Sequence, residues 1–345
     1  MTKLFSVFAA VVPLVLTVTF LASPADGQGL DFLPPQWRKA LQADGVATAE
    51  YNWLDPLRRR EVLVKVYYPE KIPGPLPVIV FSPGLGRSRD DYAYLGQYWA
   101  AHGYVSVHVQ HHGSDDAVWK WKLQPMKALR EALEDPLSTI DRCRDITFVM
   151  DQLVRMHVQN MPLGMRLDVG RIGVAGNDLG AQTALVVAGQ ALHGRITRAD
   201  PRVKALVAMS PPAPPAKIPL DEAYKQIHVP CLYMTGTEDD GLAGTTRAEH
   251  RRQAFDNTSG AAEYLLTFRG ADNLIYSGHK LDPIKGLRDP LYQRLICVSS
   301  TVFWNAYLKD DPNATAWLLG GGLEGMLQND GRLEKKLPAA AIDDP

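Results

Sequence analysis

Residues 171–183, Arg171-Ile172-Gly173-Val174-Ala175-Gly176-Asn177-Asp178-Leu179-Gly180-Ala181-Gln182-Thr183, decide the fold. The run carrying Ile172 and Val174 has the β-branched residues that suit a strand, breaks at Gly176, and resumes from Leu179 as a helix former. The segment therefore reads as strand, sharp turn and helix. Without Cβ atoms at Gly176 and Gly180 the backbone can crowd at the turn and lift the residue between them, Asp178, above the end of the strand.

Outward from this turn, apolar runs recur at Pro77 to Phe81, Tyr104 to Val109, Val203 to Met209, His228 to Thr235 and Ala262 to Phe268. Such near-continuous runs suit strands covered on both faces. Helical spacing lies between them: at Asp90 to His102, at Ser138 to His157, from the turn to about His193, and at Leu291 to Leu308. The alternation predicts an α/β fold, a mostly parallel central sheet with helices on both faces. Glu50 to Asp55 and Glu61 to Tyr68 flank Arg58-Arg59-Arg60 and read as an antiparallel hairpin at a sheet edge. The arginine run reads as a solvated turn, with an anion site as the alternative. Residues 28–345 read as one domain whose Gly-rich tail, from about 310, is peripheral.

A chain of 345 residues with 46% hydrophobic residues can bury a full core. Its formal net charge of −1 sets up no long-range field, which argues against nucleic acid and anionic membrane and for a small neutral ligand. Lys3, the uncharged stretch Leu4 to Ala22 and the small residues Ser23-Pro24-Ala25 read as a secretory signal peptide within 1–27. That implies a secreted or periplasmic protein with no stable membrane span after cleavage; an uncleaved N-terminal anchor is the alternative. Cys143, Cys231 and Cys297 are odd in number and far apart, which argues against a disulfide framework. No spacing of ligands supports a metal, no cofactor is implied, and the oligomeric state is not legible.

The turn Gly176-Asn177-Asp178-Leu179-Gly180 has the form of the G-x-S-x-G nucleophile elbow, with aspartate in the serine's place. Four further segments stand around it in order: FSPGLGRSRDDY (81–92), QHHGSDD (110–116), MTGTEDDG (234–241) and TFRGADNLIYSG (267–278). Together these resemble the α/β-hydrolase superfamily, specifically the dienelactone-hydrolase-like and platelet-activating-factor-acetylhydrolase-like esterases, over about residues 50–308. The resemblance implies an α/β-hydrolase fold, hydrolysis of carboxylic esters, a small ester-like ligand, and Ser, Asp and His on successive loops. The 17 positions from Ser210 to Gln226 leave no room for a large cap domain.

By this resemblance the amides of Leu85 and Leu179 would form an oxyanion hole, with Gly84 and Gly86 keeping the first of them accessible. His111 and His112 would stand at the pocket rim. Asp239 takes the place of the triad acid, with Asp240 as the off-by-one alternative, and Asn273 stands where the histidine belongs. His279 is the one histidine close enough in sequence to replace it.

Three readings of the altered triad follow. As a nucleophile of the dehalogenase or epoxide-hydrolase type, Asp178 would still need a base, which Asn273 cannot supply. As a general base it would work with Asn273 orienting a water. In a pseudoenzyme it would be held by a hydrogen bond from Asn273. All three imply that ordinary Ser-His-Asp turnover is lost or strongly reduced.

Overall fold

The structure is a computed structural model that describes residues 45–192, 197–214, 218–241, 246–279, 282 and 284–338. The expected signal peptide or anchor and His193 lie outside these residues. One nine-stranded sheet runs in the order β1-β2-β4-β3-β5-β6-β7-β8-β9. Its strands are β1 (Val46–Asp55), β2 (Arg60–Pro69), β3 (Leu76–Ser82), β4 (Val105–Gln110), β5 (Leu167–Asn177), β6 (Val203–Met209), β7 (Cys231–Gly236), β8 (Glu263–Phe268) and β9 (Gly331–Lys336). From β4 to β8 every neighbouring pair is parallel, while β1–β2, β2–β4 and β8–β9 are antiparallel. This is the doubly covered α/β sheet that the sequence predicts, with the hairpin at its edge.

The helices are α1 (Ala93–Ala101), α2 (Pro125–Glu134), α3 (Pro136–Val158), α4 (Leu179–Ala188), α5 (Leu220–Tyr224), α6 (Gln253–Asn257), α7 (Asp289–Leu308), α8 (Pro312–Leu319) and α9 (Gly322–Leu327). Two apolar cores lie on opposite faces of the sheet. One packs α3 and α4 through Val149, Leu153 and Leu185; the other packs α1 and α7 through Trp99, Phe303 and Trp304. β5 is buried from Ile172 to Asn177, so its carboxyl end delivers the turn at Asp178 to the rim of the sheet between both cores.

Two expectations need correction. The helix after the turn stops at Ala188 and does not run to His193, because Gly189 takes φ +133° and its backbone lies against the Gln226 carbonyl, 2.3 Å from where a Cβ would stand. The segment past Asp310 is not a peripheral tail. It forms α8, α9 and the antiparallel strand β9, and it seats Ala314, Leu318, Leu323 and Leu327 in the second core. Its glycines hid amphipathic turns too short to show a period. Among the described residues no helix is long and apolar enough to cross a membrane.

Two core histidines weaken this fold in acid. Burial pushes His108 down to about 3 and His111 down to about 4, so both are neutral at physiological pH. In the unfolded chain both take up protons near pH 6.5, and the native state does not. Stability from this source is therefore full above about pH 6.5 and falls as pH drops towards 4. Urea unfolding between pH 7 and pH 4 should show a loss on the order of several kcal/mol, and His108→Gln should flatten the profile.

Candidate functional site

Asp178 sits at φ +51° and ψ −118°, a region that L-residues rarely enter, as the N-cap of α4. Its neighbours impose this. The Asp178 amide donates to the Met209 carbonyl at 2.9 Å, closing the turn onto the end of β6. A Cβ on Gly176 would stand 2.1 Å from the Gly180 carbonyl oxygen, and one on Gly180 would stand 1.9 Å from that of Ser82. Only glycines let the end of β5, the start of α4 and the loop after β3 meet there.

That loop is held from several sides. The Gly86 amide donates to Ser114 O at 2.8 Å, and the Tyr92 hydroxyl, against which Gly84 packs, donates to Asn177 Oδ1 at 2.8 Å. Trp119 Nε1 donates to Gly86 O at 2.7 Å. The amides of Leu85 and Leu179 donate to no acceptor among the described residues, the condition an oxyanion hole requires.

The group that joins the two candidate acids is an arginine. Arg251 follows a short 3₁₀ turn, Ala248–His250, and its side chain is fully buried. Its Nη1 lies 3.6 Å from Asp178 Oδ1, and its Nε lies 3.3 Å from Asp239 Oδ1. Nε also donates to Asp239 O at 3.1 Å and Nη1 to Ser210 O at 2.6 Å. Asp239 accepts from the hydroxyls of Ser210 and Thr235 on its other oxygen. Burial raises the Asp239 carboxyl, helped by the Asp178 charge and opposed by Arg251. Asp240 instead caps the Ala248 amide on the surface, at 2.9 Å, so Asp239 is the buried acid of the two.

Asn273 begins a 3₁₀ turn (Asn273–Tyr276) and does not hold Asp178: its Nδ2 is buried with no hydrogen-bond partner among the described residues. This corrects the expected Asn273–Asp178 bond. His279 is not lodged between Asp178 and Asp239 either. Its Nδ1 pairs with Asp289 Oδ1 at 2.6 Å and its Nε2 with Asp272 Oδ1 at 2.9 Å. Burial alone would lower the imidazole, but these two acids raise it above its ordinary value. It pins the loop after β8 to the start of α7.

His111 is likewise not at a rim. It is buried, with Nδ1 donating to Asp145 Oδ2 and Nε2 accepting from Ser82 Oγ, each at 3.0 Å, an assignment fixed by the ionised acid. Arg142 completes the network from α3, donating to Ser82 Oγ at 3.0 Å, Ser114 Oγ at 2.8 Å, Thr183 Oγ1 at 3.0 Å and the Pro83 carbonyl. The loops after β3 and β4 are thereby tied to α4. His112 is exposed and lines a cavity of about 620 Å³ with Arg58, Arg59, Arg60, Asp141 and Arg144, at the hairpin and not at the elbow. Arg58 and Arg60 are ion-paired to Asp145 at 2.7 and 3.0 Å, so only Arg59 of the three is the solvated turn residue expected.

Arg251, Arg142 and Asp145 carry no signal in the sequence. Arg142 and Asp145 look like ordinary charged residues of a helical surface, Arg251 like one of a connecting stretch, and no spacing rule links them to the loops they meet.

Residues 64–161 match the family described as platelet-activating factor acetylhydrolase, isoform II. The match takes in Leu85, His111, Arg142 and Asp145, while Asp178, Asp239, Arg251 and Asn273 lie beyond it. No curated protein matches the chain. The chain is thus similar to the acetylhydrolase-type hydrolases, and its sheet is that of the α/β-hydrolases.

Positive φ at an aspartate costs on the order of 1–3 kcal/mol. Asp178→Gly should therefore raise the urea midpoint, by about 1 kcal/mol in stability; an unchanged or lower midpoint would show that the turn is not strained.

Proposed function

We propose that this chain is an acetylhydrolase-like protein that keeps the ester-binding frame of its relatives and has lost Ser-His-Asp turnover. The observation that carries this is the Arg251 guanidinium beside both Asp178 and Asp239. A triad needs an imidazole there to take a proton from the nucleophile and return it to the leaving group. A guanidinium stays protonated in proteins and can do neither. Asn273 takes up no proton near neutral pH, and His279 is engaged by Asp272 and Asp289.

The aspartate itself offers no easy detour. Carboxylate attack on an ester gives a mixed anhydride, uphill of the ester it came from. Attack on an sp³ carbon gives an alkyl ester that no base is placed to hydrolyse. Between β6 and β7 the described residues hold only the five-residue helix α5, which supports the reading without a large cap. A small acyl or ester-like molecule at the elbow, bound and not turned over, is the function these features support. The character of Met1 to Ala25 supports export as its setting.

The test is hydrolysis of a short-chain aryl ester by the purified protein. The wild-type chain should run several orders of magnitude below ordinary serine esterases. Asp178→Ser with Asn273→His should stay low, because Arg251 still stands against Asp239, and adding Arg251→Ala should raise kcat/KM at least tenfold. Ordinary esterase rates from the wild type would sink the proposal; full activity from the two-residue variant would show that Arg251 is no obstacle.

A further inference from the structure

We infer that the elbow reads a carboxamide, and prefers it to the ester of the same shape. The inference rests on the binding role proposed above and names the ligand class. In a serine esterase the residue at the crest carries a hydroxyl. Asp178 presents two oxygens that, when ionised, only accept. Its side chain is 26% exposed, accepts no hydrogen bond among the described residues, and has Arg251 no nearer than 3.6 Å. The amides of Leu85 and Leu179, whose segments meet where Gly180 packs on Ser82 and Pro83, are donors without acceptors. A ligand that satisfies both sides carries a carbonyl oxygen and, next to it, an N–H. An ester supplies the first and leaves Asp178 facing a second acceptor.

A second observation points the same way. Arg251 Nη2 and Asn273 Nδ2 are buried donors without a hydrogen-bond partner among the described residues, while Asp239 Oδ1 is met by Arg251 Nε at 3.3 Å. Arg251 lies against Asp239, and the Tyr276 phenol, raised by burial and by the Asp239 charge beside it, is met by the Ser210 hydroxyl. Asn273 begins the same 3₁₀ turn. Buried donors left over in this way are completed by something the chain does not supply. These donors call for an acceptor and Asp178 calls for an N–H, and a carboxamide carries both. A free carboxylate would bring a third carboxyl group against Asp178 and Asp239, which already share Arg251, and offers no N–H.

N-ethylbutanamide and ethyl butanoate differ only by N–H in place of the ester oxygen, and butanoate serves as the charged control. Binding of the three to the full-length protein is measured by calorimetry or ligand-observed NMR. The amide should bind at least tenfold tighter than the ester, with butanoate weakest. Asp178→Ser should bring that ratio to about one or reverse it, and Asp178→Asn, which keeps one acceptor oxygen, should give an intermediate value. Thermal unfolding of each variant establishes that it is folded. Equal binding of amide and ester, or a ratio that Asp178→Ser leaves unchanged, overturns this inference and leaves the binding role standing. No binding of any of the three at millimolar concentration overturns both.

Discussion

A buried cation between two acids is the interaction on which the candidate site depends. Taking a guanidinium and a carboxylate out of water costs several kcal/mol for each ion, and the loss is recovered only when every charge has close partners. Arg251 meets that condition through Asp239, the Ser210 carbonyl and, more loosely, Asp178. Asp239 meets it through Ser210 and Thr235 as well. The result is a centre built to hold charge in place. A catalytic triad is built to move a proton, and that requires an imidazole whose two nitrogens change roles within one turnover. In the proposed function the same elbow, loop and acid stay in position and bind without acting as a relay.

A second buried arginine supports the site from the other side. Burial lowers Arg142 to about 10, yet it stays charged because Asp145 stands close by. Its donors fasten Ser82, Pro83 and Ser114, the two loops that shape the rim, to Thr183 one turn into α4. The chain Arg60–Asp145–His111–Ser82 extends this fastening to the edge hairpin. His111 resembles a catalytic histidine in its partners but not in its position, since it is closed off from solvent beneath the loop. Arg251 acts on backbone carbonyls as much as on carboxylates, and Arg142 on three hydroxyls and a carbonyl, which is how a loop is fixed without a disulfide. The three cysteines are free and buried.

The sheet was legible because its strands are apolar on both faces and its turns are marked by glycine. Gly176 and Gly180 identified the elbow for a steric reason that the structure repeats at 2.1 and 1.9 Å. The last strand was not legible: Gly331 to Lys336 holds four charged residues and a single large apolar one, Leu333, at the sheet edge, and carries little hydrophobic signal. At the site, the positions of Asp178 and Asp239 followed from strand ends, which are fixed by the sheet. The partners of Asn273 and His279 did not follow, because they depend on which acids a short loop brings within reach. Arg251 was missed for the same reason. It comes from the stretch between β7 and β8, where sequence spacing carries no information about side-chain direction.

The most direct measurement of this account is a double-mutant cycle on Arg251 and Asp239, using Arg251→Met, Asp239→Asn and the pair, with stability read from urea unfolding at pH 7. A buried charge pair with shared hydrogen bonds should give a coupling energy of about 2 kcal/mol or more. A coupling below about 0.5 kcal/mol would mean that the guanidinium does not bind the acid, and would contradict the account.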